Sequence, residues 1–233
     1  LDTADAYGLG RSEEYIGAWL RAKPEARDRV VIATKTFNPM EEGADRGLGA
    51  ARIRRQVETS LRRLGVERLP LYLAHDFDPH VPQEETLGAF DELVRAGTVG
   101  AVGASNFTAE QLAEALELSA LEGLTRYEWV QNKFSLLERG DRETVFPLCH
   151  EHGLGYTPFS PLASYASRNA AIVPGSSAGS RHWLGVLVKS WMALAPISRP
   201  RPGAVCTPPW VETWAPRRSW VRAGGVFFVG EWG

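Results

Sequence analysis

The feature that most constrains the fold of this chain is an alternation of strand-like and helix-like stretches. Short apolar or β-branched runs bounded by turn residues are typical of buried strands. Apolar residues recur at helical spacing between them, for example over 53–64 and 87–94, and Thr108 with Gln111 has the pattern of a helix capping box. Five strands are predicted, at 30–36, 69–75, 99–106, 128–135 and 154–160.

The order of these stretches predicts a parallel sheet with helical crossovers. With a further strand ending near Asp2, six units follow one another at a spacing of roughly 25–40 residues, which favours an α/β fold of the parallel (β/α)8 TIM barrel type. An open doubly wound sheet remains an alternative. No Gly-x-Gly-x-x-Gly motif follows a strand, and this counts against a dinucleotide-binding domain of the Rossmann type.

Composition narrows the class of protein. With 44% hydrophobic and 23% charged residues, the chain is typical of soluble globular proteins. A net charge of −2 gives no reason to expect nucleic acid or a membrane surface as a partner, and no run approaches the ~18 apolar residues of a membrane span. Cys149 and Cys206 are far apart, which suggests a reducing compartment. We therefore expect a soluble cytoplasmic protein.

The composition changes near residue 165. Residues 166–233 contain eight Lys and Arg, two Glu and six of the eight tryptophans, so their charge of +6 contrasts with −8 for the rest. Their prolines and lack of a sustained period disfavour helices and strands. We predict a barrel core over 1–165 and an atypical Pro/Trp/Arg-rich tail over 166–233, poorly ordered or altered by a shifted reading frame. A nucleic-acid-binding tail is the less favoured alternative.

Polar residues stand at the ends of the predicted strands, where parallel barrels place their chemistry. Each has a structural explanation when taken singly: Lys35 could be a solvated strand end, and His75 a core histidine. Together they predict a functional site, with Tyr7 on the loop after the first strand. The residues at the strand ends are Asp2, Lys35, His75, Ser105, Asn106 and Gln131.

Six motifs along 1–165 resemble the aldo-keto reductase superfamily, whose members are NADPH-dependent (β/α)8 barrels. They occur in order as LDTADAYGLGRSEEYIG, IATKTF, LYLAHDFDP, VGASNF, VQNKFSLLER and TPFSPLA. The family's catalytic Asp, Tyr, Lys and His are matched by Asp2, Tyr7, Lys35 and His75.

The chemistry that the resemblance implies suits these residue types. Carbonyl reduction needs a hydride and a proton, and Tyr7 would supply the proton. The unperturbed pKa of a tyrosine is about 10, and a nearby ammonium such as that of Lys35 lowers it. Asp2 would hold Lys35 in place, while His75 would donate a hydrogen bond to the substrate carbonyl and orient it.

The resemblance also implies the contacts of an NADPH cofactor. Three polar residues near the ends of the third and fourth predicted strands would bind the nicotinamide carboxamide. An aromatic residue near the end of the fifth predicted strand would stack on the nicotinamide ring, and two residues that follow it would approach the pyrophosphate. The aromatic residue could instead be part of the barrel core. In order, these residues are Ser105, Asn106 and Gln131, then Phe159, then Ser160 and Leu162.

Two clusters of charged residues resemble binding sites for other ligands, a metal ion and a phosphate. Residues 75–80, with two His and two Asp, resemble a metal-binding cluster, but no further cluster completes a coordination shell, and we expect no metal. The arginines at 52, 54, 55, 62 and 63 are predicted to form the solvated face of a helix rather than a phosphate site.

The predicted function is that of an NADP-dependent oxidoreductase that reduces small aldehydes or ketones to alcohols. The chain departs from the family's pattern: it starts without Met at the end of what should be the second strand, so we expect a natural N-terminus upstream. Residues 170–182 resemble the family's phosphate-binding loop, with Ser176 and Arg181 as candidate contacts, but arrive early. The alternative is a non-catalytic, cofactor-binding relative or an inactive fragment.

Overall fold

A computed structural model of the protein describes residues 1–39 and 45–163. Within these ranges each of the first four strands is followed by a helix, as the alternation in the sequence predicts. The helices are α1 Arg11–Ala22, α2 Ala50–Leu64, α3 Gln83–Arg95, α4 Ala109–Glu122 and α5 Val145–His152, with 3-10 helices at Pro24–Arg29 and Gly140–Arg142. The strands are β1 Ala33–Thr36, β2 Leu69–Ala74, β3 Val99–Ser105, β4 Trp129–Lys133 and β5 Gly155–Phe159.

The five strands form one parallel sheet in the order β1-β2-β3-β4-β5, so neighbours in the sheet are neighbours in the chain. The N-terminal segment continues this order, because Asp2 bridges Ala33 in parallel at the outer side of β1. A doubly wound sheet reverses its strand order at a switch point, whereas a barrel adds strands in sequence. The predicted parallel barrel-type α/β fold is confirmed, and the described residues form part of a (β/α)8 barrel.

The predicted elements are confirmed, with small differences at their ends. The strand predicted at 30–36 begins only at Ala33, where its ladder with β2 starts opposite Leu71. The capping box at α4 is present: the Thr108 hydroxyl accepts a hydrogen bond from Gln111 N at 3.2 Å, and Gln111 Oε1 accepts one from Thr108 N at 3.0 Å. Local side-chain chemistry therefore determines where this helix begins.

The sheet is buried on both faces, as expected of parallel strands covered by helices. On the helix-facing side, Tyr72 of β2 packs edge-on against Phe90 of α3 at 5.7 Å between ring centroids. Leu71 and Leu73 alternate to the other face and form a smaller cluster with Ala101. Both faces of β2 are thus fixed by apolar contacts, which holds the carboxyl end of the strand in place.

One prediction for α2 is wrong. Arg52 does not lie on a solvated face: it is 3% exposed, and its guanidinium donates to Thr36 Oγ1 at 2.6 Å and to the carbonyl oxygen of Asn38 at 2.7 Å. Arg63 is also largely buried and pairs with the carboxylate of Glu13 at 3.2 Å. These guanidiniums find acceptors in the neighbouring loop and helix, which makes their burial tolerable. The remaining arginines, at 54, 55 and 62, are exposed as predicted.

Residues 164–233 lie outside the described part of the chain, and so do the candidate phosphate contacts Ser176 and Arg181. The division into a core and an atypical tail remains a prediction. Among the helices of the described residues, none combines the length and the apolar character needed to span a membrane.

Candidate active site

The structure brings together the four residues predicted as catalytic. Asp2 lies beside β1, Lys35 lies within β1, and His75 directly follows β2. Tyr7 is on the loop between Asp2 and α1, where Gly8, Leu9 and Gly10 all adopt positive φ and so fold the chain back over the end of the sheet.

Lys35 forms the buried centre of the group. Its side chain is 0% exposed, and its ammonium donates to Asp2 Oδ2 at 2.7 Å, to the carbonyl oxygen of Thr3 at 2.9 Å and to Tyr7 Oη at 3.4 Å. A buried charge is strongly disfavoured unless it is paired and hydrogen-bonded. Asp2, itself 8% exposed, provides the opposite charge. The pair fixes the ammonium next to the tyrosine hydroxyl.

Tyr7 links this buried pair to the surface. Its side chain is 38% exposed, while its hydroxyl lies 3.4 Å from both Lys35 Nζ and His75 Nε2. The tyrosine and histidine rings meet edge-on, with centroids 5.4 Å apart. A phenol in this position can exchange a proton with a molecule that approaches from the open side.

His75 is held from several directions. Its backbone N–H donates to the carbonyl oxygen of Thr36 at 2.9 Å, and its own carbonyl accepts from Asn106 Nδ2 at 2.9 Å. Burial, together with the charge of Lys35, lowers the pKa of His75 to about 3. The imidazole is therefore neutral near neutral pH.

Asn38 is a site residue that the sequence reasoning missed. Its Nδ2 lies 3.2 Å from His75 Nδ1, on the side of the ring away from Tyr7. It stands two residues beyond β1, the strand that carries Lys35. A polar residue on the loop after a strand that bears a candidate catalytic residue is the signal that could have identified it.

The three residues predicted to bind the carboxamide of the cofactor lie next to this group. Ser105 ends β3 and is buried, and Asn106 follows it with a φ of 60°. Gln131 of β4 contacts one of the four residues directly, because its Nε2 donates to Asp2 Oδ1 at 2.9 Å. The structure thus places Gln131 on the second oxygen of Asp2, a contact that its predicted role does not include.

The residues predicted to contact the nicotinamide ring and the pyrophosphate follow at β5. Phe159 is the last residue of that strand and is partly buried. Ser160 has a φ of 49°, and Leu162 is 39% exposed. They lie at the same end of the sheet as Gln131, because β5 pairs with β4 in parallel.

The two carboxylates within residues 75–80 accept hydrogen bonds from backbone N–H groups. Asp78 is 6% exposed and accepts from Leu48 N at 2.8 Å and from His80 N at 3.0 Å. Asp76 accepts from the adjacent Phe77 N at 2.9 Å. Within residues 1–39 and 45–163, no three or more His, Cys, Asp or Glu side chains form a group suited to a metal ion.

Comparison of the sequence with known proteins identifies one family. The Aldo/keto reductase family profile matches residues 1–184. The chain belongs to the aldo/keto reductase family. Among curated proteins, the chain is similar to YrpG of Bacillus subtilis, described as an uncharacterized oxidoreductase, which is 36% identical over 190 residues, or 78% of this chain and 58% of YrpG.

Two further relatives show a similar level of identity. The aldo-keto reductase YhdN of Bacillus subtilis is 37% identical over 157 residues, which cover 65% of this chain and 44% of YhdN. A putative aryl-alcohol dehydrogenase of Schizosaccharomyces pombe is 30% identical over 185 residues, 70% of this chain and 52% of that protein. The chain thus spans about half the length of the curated relatives that it matches.

Proposed function

We propose that this aldo/keto reductase chain carries the active site of an oxidoreductase that reduces aldehydes or ketones to alcohols, with Tyr7 as the proton donor. One observation supports this most directly: Tyr7 Oη lies 3.4 Å from both Lys35 Nζ and His75 Nε2. A phenol beside an ammonium and a neutral imidazole, at a partly open surface, is suited to general acid catalysis.

Lys35 and Asp2 act on the proton donor. When Tyr7 gives its proton to the substrate oxygen, a phenolate remains, and the ammonium of Lys35 stabilises it. Asp2 Oδ2 keeps that ammonium charged and fixed at 2.7 Å. The buried pair therefore lowers the free energy of the charge that develops on Tyr7.

His75 acts on the substrate. Because its pKa is lowered to about 3, the ring is neutral and offers one N–H donor. A hydrogen bond from Nε2 to the carbonyl oxygen would orient that oxygen toward Tyr7 and stabilise its developing charge. Its proximity to Tyr7 makes one oxygen reachable from both side chains.

The residues at the ends of β3 and β4 fit a nicotinamide. A carboxamide offers two N–H donors and one carbonyl acceptor, and Ser105, Asn106 and Gln131 supply a hydroxyl and two amides from the end of β3 and the middle of the adjacent strand β4. When bound, NADPH supplies the hydride. Phe159 would pack against its ring, and Ser160 and Leu162 would lie near the pyrophosphate. The choice of NADPH as the cofactor rests on the sequence resemblance. The proposed cytoplasmic location rests on cysteine usage.

Replacement of Tyr7 by Phe tests the proposal. The variant removes only the hydroxyl, so we expect turnover to fall by about 10² or more, while the dissociation constant of NADPH changes little. The assay follows NADPH absorbance with an aromatic aldehyde, a substrate type suggested by the putative aryl-alcohol dehydrogenase among the relatives.

Tyr15→Phe, on the exposed face of α1, is the matched control and should retain the activity of the parent chain. Full turnover by the Tyr7 variant would refute Tyr7 as the proton donor. A parent chain that binds NADPH but shows no turnover with any aldehyde or ketone would favour the alternative, a non-catalytic cofactor-binding protein.

A further inference from the structure

The hydrogen bond between Asn38 and His75 determines what the histidine can donate. Asn38 Nδ2 lies 3.2 Å from His75 Nδ1. An amide NH2 is only a donor, so Nδ1 must be the acceptor of this bond. A neutral imidazole has one donor and one acceptor nitrogen, and the proton is then on Nε2. Nε2 is the nitrogen that lies 3.4 Å from Tyr7 Oη.

Only the two neutral forms of the ring compete here. Burial and the charge of Lys35 disfavour the imidazolium, as the lowered pKa of His75 indicates. The remaining choice is between a proton on Nδ1 and a proton on Nε2. The Asn38 amide stabilises the form with the proton on Nε2, because its N–H can then donate to the unprotonated Nδ1. In the form with the proton on Nδ1, the N–H of the amide would face the N–H of the ring.

The tautomer decides the direction of hydrogen bonding at Tyr7. With the proton on Nε2, His75 donates toward Tyr7 Oη, as Lys35 does from 3.4 Å, and neither side chain takes up the tyrosine proton. With the proton on Nδ1, Nε2 would accept that proton in a hydrogen bond and could not donate to a carbonyl oxygen. One tautomer therefore suits carbonyl reduction and the other opposes it.

We propose that Asn38 is a positioning residue that holds His75 as the Nε2-protonated tautomer. Its catalytic consequence rests on the proposed function, but the tautomer itself does not. Sequence patterns assign no role to Asn38, and the contact joins positions 37 residues apart.

Arg52 keeps Asn38 in place. Its Nη2 donates to the carbonyl oxygen of Asn38 at 2.7 Å, and its Nη1 donates to Thr36 Oγ1 at 2.6 Å and to the carbonyl oxygen of Gly47 at 3.2 Å. The guanidinium thus connects the end of β1 with both sides of the following loop. Arg52 is itself 3% exposed, so a buried and hydrogen-bonded side chain holds the backbone from which the amide of Asn38 extends.

Nitrogen NMR of the full chain tests the proposal without any need for activity. The spectrum correlates the ring nitrogens of 15N-labelled histidines with their carbon-bound protons at mildly alkaline pH, where histidines are neutral. The signals of His75 are identified by their loss in His75→Gln. In the parent chain we expect a protonated, pyrrole-type Nε2 and an unprotonated, pyridine-type Nδ1.

Two variants and a control complete the test. Asn38→Asp presents carboxylate oxygens to Nδ1 and should exchange the two nitrogen types, while Asn38→Ala should give a mixture of both tautomers. Asn106→Ala is the control. It also removes a carboxamide that contacts His75, but this one donates from Nδ2 to the backbone carbonyl oxygen of His75 at 2.9 Å, so the ring tautomer should remain unchanged. The dispersion of the backbone amide spectrum shows whether each variant is folded.

A protonated Nδ1 of His75 in the parent chain would overturn the proposal even if neither Asn38 variant folds. So would a folded Asn38→Asp protein that keeps the proton on Nε2. If the parent chain is active, Asn38→Asp should also lower kcat by about 10² or more, since a wrong tautomer disables a catalytic histidine. Absence of turnover in the parent chain would count against the proposed function and would leave the NMR result intact.

Discussion

At the scale of single residues, Lys35 shows what a buried charge requires of its surroundings. Its ammonium has no exposed surface, and it is kept charged by Asp2 at 2.7 Å and by the carbonyl oxygen of Thr3 at 2.9 Å. Gln131 donates to the other oxygen of Asp2. The pair is thus hydrogen-bonded at both ends, and removal of one partner leaves a buried charge without compensation.

The Asp2–Lys35 pair leads to a prediction about stability. Lys35→Met should lower the free energy of unfolding by about 3–5 kcal/mol, because Asp2 then remains buried without its counter-charge. The double variant Asp2→Asn with Lys35→Met should lose less than Lys35→Met. Urea denaturation of the parent chain, of the single variants Asp2→Asn and Lys35→Met, and of the double variant measures the coupling. If the losses in free energy of unfolding from the two single substitutions simply add up in the double variant, Asp2 and Lys35 are not coupled as described.

Asp5 is predicted to make stability depend on pH. It has no exposed surface, and burial raises its pKa to about 6 despite Arg52 Nη2 at 3.6 Å from Oδ2. Since an unfolded aspartate has a pKa of about 3.9, the folded state binds more protons between these values. This contribution to the free energy of unfolding therefore decreases as the pH rises from about 4 to about 6.

Asp5→Asn should remove that dependence, which amounts to about 3 kcal/mol across the window. Denaturation at a series of pH values measures it, with exposed Asp28→Asn as the control of the same chemistry. An equally steep slope in the Asp5 variant would show that another group titrates there.

At the scale of secondary-structure elements, the start of α4 depends on its cap. Thr108→Ala removes the acceptor of the Gln111 N–H and should lower the free energy of unfolding by about 1 kcal/mol. Thr59→Ala, which removes the same side chain from the interior of α2, is the matched control and should cost less. Equal losses in thermal or urea denaturation would argue against a specific contribution of the cap.

The strands and helices themselves were largely predictable, because their period and end signals are local. Tyr72 and Leu73 illustrate why β2 was recognised: consecutive apolar residues face opposite sides of a sheet that is buried on both. The side chains of α2 were less predictable. Arg52 and Arg54 are both arginines on one amphipathic helix, yet the first is buried and the second exposed, since only the first meets acceptors in the loop after β1.

At the scale of the whole molecule, the sequential parallel order of the strands brings their carboxyl ends to one edge. Asp2, Lys35, His75 and Gln131 come from four separate segments and meet there. This is the arrangement in which parallel barrels present functional side chains.

Binding of NADPH should stabilise the folded chain. A ligand present at about 100 times its dissociation constant adds about 2.7 kcal/mol to the free energy of unfolding, and Tm should rise accordingly. The same concentration of NADH should raise Tm less if the cofactor preference is as proposed. Scanning calorimetry of the full chain with each nucleotide measures both, and a Tm that neither nucleotide changes would contradict the proposed cofactor site.

The sequence by itself determined the strand–helix alternation, the parallel barrel-type sheet and the polar residues at the strand ends, because hydrophobic period and turn chemistry act over a few residues. Only the tertiary structure decided which of these side chains meet. Asn38 reaches His75 across 37 positions, and Gln131 reaches Asp2 across 129. No local pattern encodes such contacts, since they depend on the distances and orientations that arise when the strands pair.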